Sequence, residues 1–200
     1  MKIVLVGANG TIGKKILEAL GPGHEIIKVG RSSGDLHADI ADAKSVRALF
    51  EKIGKFDALV NASGDIAFAP FSELNQKHWE TGFNSKLMGQ VNLVTIGKDF
   101  ITDGGSFTLT SGVLSSQYIA YGTSATAINR AVEGFAQAAA SEIGRGIRIN
   151  VVSPGMLQES EGAYGAYFPG HLPVPGAKVA QYFKRSVLGV ETGKIYEVLA

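Results

Sequence analysis

Residues Met1 to Gly13 read MKIVLVGANGTIG, a short apolar run set directly against Gly7, Gly10 and Gly13. Ile3, Val4, Leu5 and Val6 form a continuous aliphatic stretch, the pattern of a strand buried on both faces of a parallel sheet. The glycines that follow have separate uses in a strand-to-helix turn. Gly7 permits the tight turn, Gly10 lets the backbone approach a pyrophosphate, and Gly13 lets the helix pack close on the strand. Asn9, Thr11 and Ile12 complete the loop and open the helix, whose N-terminus would carry the phosphates. The helix Lys14 to Leu20 is stopped by Gly21-Pro22-Gly23. A glycine triplet alone is a weak signal. Between a strand and a helix it predicts a dinucleotide site in preference to an ordinary glycine-rich turn.

The chain has 200 residues, 45% of them apolar, enough to bury a full core in one domain spanning 1–200. A net charge of +1 and the lack of any Lys/Arg run argue against a nucleic-acid or anionic-membrane surface and for a small-molecule partner. There is no cysteine, hence no thiol chemistry, and His24, His37, His78 and His171 lack metal-ligand spacing. The apolar run before Gly7 is too short for a signal peptide, and no stretch approaches the length of a membrane span. A cytoplasmic protein is expected.

Strand signals recur at Glu25–Val29, around Leu36–Ala38, and at Ala58–Asn61, Ser106–Thr110, Ile147–Val152 and Ile195–Leu199, with helical patterns between most of them. The alternation predicts an α/β fold, a doubly wound parallel sheet of about seven strands with helices on both faces. The link from Arg31 to Asp39 is too short for a normal crossover helix, so an abbreviated loop is expected there. Asp42 caps a helix through Ile53, Glu73 begins a helical region to about Phe100, and Tyr121–Ile143 is a third helix rich in alanine and glycine. Residues 154–176 carry prolines, glycines and the aromatics Tyr164, Tyr167 and Phe168. That composition predicts a substrate lid, the alternative being a disordered surface excursion.

GANGTIG, NASG at Asn61–Gly64, GIRINVVSPG from Gly146 to Gly155 and NRAVEGF from Asn129 to Phe135 together resemble the short-chain dehydrogenase/reductase family over essentially the whole chain. The resemblance implies a Rossmann-type domain that binds a nicotinamide dinucleotide. It places Asn61, Ala62, Ser63 and Gly64 at the turn supporting the cofactor, and Pro154-Gly155 near the nicotinamide. The threonine that often follows that pair is replaced here by Gln158, Glu159 and Ser160. Asp39-Ile40 resembles the family's adenine-side pair, with an N-cap role for Asp39 as the alternative. At the end of the second strand, where an NAD enzyme carries an acid, the chain reads Gly30-Arg31-Ser32-Ser33. The Arg31 fork suits a 2′-phosphate, and with Ser32 it favours NADP(H) over NAD.

The family's catalytic serine, tyrosine and lysine do not align with this chain. Matching NRAVEGF to the family helix puts Asn129 at the lysine, Ala125 at the tyrosine and Gly112 at the serine. A second register brings Tyr121 and Ser111 into the tyrosine and serine roles and leaves Ala125 at the lysine. Neither completes Tyr-x-x-x-Lys. Lys86 stands where the family has an asparagine, in Lys86-Leu87-Met88-Gly89, and is expected to bring an ammonium from the opposite side of the site. Tyr121, on one helix face with Ala125 and Asn129, is then the expected acid, with Ser111, Ser115 or Ser116 orienting the carbonyl. An unperturbed tyrosine, with a pKa of about 10, is already an acid at neutral pH. As a base it needs about 4 kcal/mol of phenolate stabilisation, which Lys86 would have to supply. The plain alternatives are a packing role for Tyr121, a strand-end hydrogen bond for Ser111 and a solvated Lys86.

Two functions follow as expectations. One is an NADP(H)-dependent oxidoreductase that reduces a small carbonyl compound. The other is an NADP(H)-binding, redox-sensing protein without hydride chemistry. Either is expected to assemble as a homodimer or homotetramer through the helices matching Lys77–Phe100 and Tyr121–Ile143.

Overall fold

Side chains alternate between two buried layers from the first strand onward. In β1 (Lys2–Val6), Ile3 and Leu5 enter one apolar cluster while Val4 and Val6 enter the other, so the strand is covered on both faces. A computed structural model describes residues 1–200. It joins β1 to β2 (Glu25–Gly30), β3 (Leu36–His37), β4 (Phe56–Asn61), β5 (Ile101–Thr110), β6 (Arg148–Pro154) and β7 (Ile195–Val198). The result is one seven-stranded sheet of order 3-2-1-4-5-6-7, with every neighbouring pair parallel. The order reverses between β1 and β4, the position at which open α/β sheets bind ligands beyond their strand ends.

The helices are α1 (Thr11–Leu20), α2 (Ala43–Ile53), α3 (Gln76–Gly82), α4 (Gly89–Gly97), α5 (Thr123–Glu142), the short α6 (Glu161–Tyr164) and α7 (Gly176–Leu188). Helices α2, α4 and α5 bury Phe50, Leu93 and Val132 on the Val4 face, and α1 and α7 bury Ile16 and Phe183 on the Ile3 face. On the Ile3 face a polar cluster joins α7 to the sheet. Ser186 Oγ lies 2.7 Å from Thr108 Oγ1, and Asn150 Nδ2 donates to Ser186 Oγ (3.2 Å) and to Glu191 O (2.8 Å). Because the main apolar anchor of α7 is the fully buried Phe183, Phe183→Ala is expected to cost about 3–5 kcal/mol in chemical denaturation.

The fold is the one the sequence predicts, including the short link between β2 and β3. Asp35 N donates to Lys28 O and Lys28 N to Asp35 Oδ2, which folds the loop back on β2. Two expectations need correction. The helical region Glu73–Phe100 is instead a 3₁₀ turn at Phe71–Glu73, then α3, a π-helical stretch Phe83–Met88, and α4. The third helix begins at Thr123, not Tyr121, because Tyr121 has φ 66° and Gly122 is the N-cap. Residues 154–176, the expected lid, carry two 3₁₀ turns, α6, and a bridge pairing Leu157 with Val174.

Candidate functional site

Two clefts open beyond the strand ends on either side of the β1/β4 reversal. The first, about 240 Å³, is lined by Gly7, Asn9, Gly10, Arg31, Ser33, Asp39, Ile40, Ser63 and Gly64 among others. Each glycine of the turn is needed for a different reason. Gly7 has φ 81°, and a Cβ on it would lie 2.8 Å from Ala62 O. A Cβ on Gly13 would lie 2.1 Å from Gly7 O, so only glycine lets α1 start so close to the turn. Gly10 is the N-cap of α1 and supplies no side-chain cap, which leaves the first N–H groups of the helix for a ligand anion. Thr11 and Ile12 sit in that first turn and do not line the cleft.

The outer residues of this cleft are only partly as expected. Ser33, not Ser32, reaches its wall. Arg31 pairs with Asp65 at 3.4 Å, with both side chains about two-thirds exposed, a bond worth roughly 0–1 kcal/mol. Asp39 does not cap a helix. Its Oδ1 accepts from Ala41 N, while the N-cap of α2 is Asp42, which accepts from Lys44 N. Asn61 is fully buried and faces its own turn: Nδ2 donates to Ser63 O and Oδ1 accepts from Ser63 Oγ, both at 2.8 Å. Asn61 and Ala62 shape the wall that Ser63 and Gly64 present.

The second cleft, about 400 Å³, shares Gly64 and Asp65 with the first and continues past Lys86, Ser111, Gly112, Ala125 and Asn129 to Pro154 and Gly155. Met156, Leu157, Ser160, Tyr164 and Phe168 close its far side. Gly64, at φ 132°, is the hinge between the two. A Cβ there would lie 3.0 Å from Lys86 Cα, Cβ and Cγ, so the bare backbone makes the path for the lysine stem.

Lys86 lies in the π-helical stretch, and local widening of this kind often marks functional positions. Gln90, fully buried, ties the widened segment to β5. Its Nε2 donates to Lys86 O and Thr110 O, and its Oε1 accepts from Thr110 N. The Lys86 ammonium donates to Ser111 O at 2.8 Å. Removal from water pushes its pKa down to about 8, while the Glu133 carboxylate pulls the other way. Ser111 Oγ donates to Glu133 Oε1 at 2.8 Å, so its proton is committed within the protein. Of the other serines considered, Ser116 Oγ donates to Glu197.

Tyr121 is not part of this assembly. Its left-handed backbone turns it into an adjoining apolar chamber with Ala69, Pro70 and Tyr167, walled off from the second cleft only by Phe68, Tyr164 and Phe168, which line both, its ring 6.3 Å from that of Tyr167. The structure thus brings Gly112, Ala125 and Asn129 to one wall, the positions of the register that matches NRAVEGF. Gln90 and Glu133 went unrecognised in sequence. Their only signal is a polar side chain on a helix face otherwise apolar enough to be core.

A family model described as enoyl-(acyl carrier protein) reductase matches residues 4–171. An uncharacterized oxidoreductase of Methylorubrum extorquens is 26% identical over 191 residues, 84% of this chain and 77% of that protein. Three further curated relatives are spanned over only 47%, 50% and 61% of their length. Among solved structures, a Listeria innocua protein is 47% identical with a TM-score of 0.97, covering 99% of both chains. A small-chain dehydrogenase in complex with NADPH is 26% identical with a TM-score of 0.87, covering 99% of this chain and 96% of that one. The family match runs from the first strand past β6, the same stretch that builds both clefts, and on it the chain belongs to the short-chain dehydrogenase/reductase family of NAD(P)-dependent oxidoreductases.

Proposed function

We propose that this chain binds NADP(H) along the two clefts and reduces a small, largely apolar carbonyl compound, with Lys86 as the proton source. The observation that carries the reading is the Lys86 ammonium, desolvated and held at 2.8 Å from Ser111 O beside the hinge where the clefts join. The first cleft fits the cofactor. Its glycine turn leaves room for a pyrophosphate, uncapped N–H groups of α1 face it, and Arg31 and Ser33 stand where a 2′-phosphate would lie. The NADPH in the related dehydrogenase supports the same choice. Bound NADPH supplies the hydride.

Lys86 then completes the reduction. An ammonium with a pKa of about 8 is largely protonated at neutral pH and releases its proton readily, as a general acid must. The carbonyl oxygen, as it gains negative charge, takes a proton from Lys86 Nζ, forming the alcohol O–H and leaving a neutral amine that water reprotonates. Ser111 acts through its carbonyl, which fixes the ammonium, and Glu133 keeps positive charge favourable nearby. Tyr121 belongs to the aromatic wall, and residues 154–176 serve as a lid over the second cleft.

A second reading, an NADP(H)-binding protein without hydride chemistry, draws on Gly112, Ala125 and Asn129, none of which is an acid. Steady-state oxidation of NADPH across a panel of small ketones and aldehydes separates the two. Turnover well above the no-carbonyl rate supports reduction, and tight binding without turnover supports the second reading. Self-association belongs to the same proposal: Trp79 and Phe83, 38% and 48% exposed, leave apolar surface on the expected helix. Light scattering that gives a monomer would contradict it.

A further inference from the structure

The apolar chamber adjoining the second cleft encloses about 340 Å³, within the range of small-molecule sites. Phe68, Tyr164 and Phe168 line both spaces, so a molecule lying in the cleft has only these rings to pass. One wall is anchored. Ala69 N donates to Tyr121 O at 3.3 Å and Ser124 Oγ donates to Ala67 O, which ties residues 67–70 to the start of α5. The other wall, Tyr164 and Tyr167, belongs to the expected lid and meets the first through ring contact, Tyr121 against Tyr167 at 77°. Core packing does not account for these rings. Phe68, Tyr121, Tyr164 and Tyr167 are 45%, 45%, 51% and 46% exposed, and aromatic surface gathered around a concavity marks a ligand site. Tyr121 is held there at φ 66°, a left-handed conformation unfavourable for a bulky residue and recurrent at ligand clamps.

We infer that this chamber is the subsite for an aromatic ring of the substrate, and that the carbonyl compound is an aryl-bearing ketone or aldehyde whose ring passes Phe68 while its carbonyl faces Lys86. The carbonyl half rests on the reductase reading, and the ring half rests on the chamber alone. An aromatic guest suits these walls better than an aliphatic one. Tyr121 and Tyr167, nearly perpendicular, present a face and an edge, and a flat ring can stack on one while meeting the other edge-to-face. A saturated ring of the same skeleton buries similar apolar area without that complementarity. Tyr121 serves through its ring, not its hydroxyl.

Benzylacetone, its ring-saturated analogue cyclohexylethyl methyl ketone, and butanone as the ring-free reference test this on wild type, Tyr121→Gly and Tyr167→Ala. Wild type is expected to prefer benzylacetone to butanone by at least about 20-fold in kcat/KM, and to the saturated analogue by at least about threefold. The preference over butanone should fall by at least about fivefold in each variant. Tyr121→Gly relieves the left-handed strain, so its melting temperature should hold or rise, which keeps the test open if Tyr167→Ala folds poorly. Equal use of benzylacetone and butanone by wild type overturns the inference, and equal use of the aromatic and saturated rings overturns the aromatic class. Variants that change the oligomeric mass and leave the preference unmoved mark a protein interface instead, which also overturns it. If wild type reduces none of the ketones, saturation-transfer difference spectra of benzylacetone with NADP⁺-saturated protein decide. Transfer to the ring protons that is lost in both variants keeps the subsite while the reductase reading fails. No transfer ends both.

Discussion

Replacing Lys86 with methionine is expected to lower kcat/KM for carbonyl reduction by about 100-fold or more, the usual contribution of a positioned general acid. Methionine keeps the stem that packs along Gly64 and removes only the ammonium, so NADPH affinity should stay within about threefold of wild type on this reading. The pH profile gives an independent check. Reduction by wild type should fall above a pH of about 8, where Lys86 loses its proton, and the residual rate of the variant should lack that fall. Stability follows with the opposite slope. The folded-state pKa lies below the unfolded value of 10.5, so the half-buried ammonium costs stability at pH values under about 8, and that cost disappears as pH rises from about 8 to 10.5. Lys86→Met should lack that rise. Tyr121→Phe is the informative control: with Tyr121 outside the lining of the second cleft, in the adjoining chamber, and 45% exposed, activity should change by less than about threefold.

Gly13→Ala should be the most damaging single change in the turn. In an ordinary helix the substitution gains about 1 kcal/mol of helix propensity. Here the new Cβ would meet Gly7 O at 2.1 Å and the Ala8 backbone at 2.8 Å, and neither can move without displacing the end of β1. A net loss of about 3 kcal/mol is expected from such overpacking, a fall in melting temperature of roughly 6–12 °C. Because the same shift tilts the N-terminus of α1 away from the cleft, affinity for NADPH should drop by at least about 10-fold. Melting temperature and NADPH titration on one preparation of the variant check both arms.

What the sequence reveals here follows the range of the interactions. The strand, turn and helix of residues 1–20 are decided by neighbours in the chain, and the continuous run Ile3–Val6 with its three glycines shows them directly. Helix α7 carries a local signal of the same kind, with Val179, Ala180, Phe183 and Val187 on one face between Pro175 and Gly189. The position of Tyr121 was not legible. Helical spacing put it on the face of Ala125 and Asn129, and only the left-handed backbone at Tyr121, held where Ala69 N donates to its carbonyl, turns it away. Lys86 was visible as a substitution at a family position, whereas its surroundings depend on Ser111, just past β5, and Glu133 of α5, brought from 25 and 47 residues away. Gln90 and Glu133 have the same origin: their partners are distant in sequence, so composition marks them only as polar residues in apolar surroundings.

Calorimetric titration of the wild-type protein and of Arg31→Ala with NADPH and with NADH tests most directly whether the glycine turn and Arg31 form one nucleotide site. Wild type should bind NADPH with a submicromolar Kd, roughly 10-fold or more tighter than NADH, and Arg31→Ala should lose that difference by weakening NADPH alone. Equal affinity for the two nucleotides would remove the 2′-phosphate from the site. Absence of binding to either would contradict the assignment of both clefts.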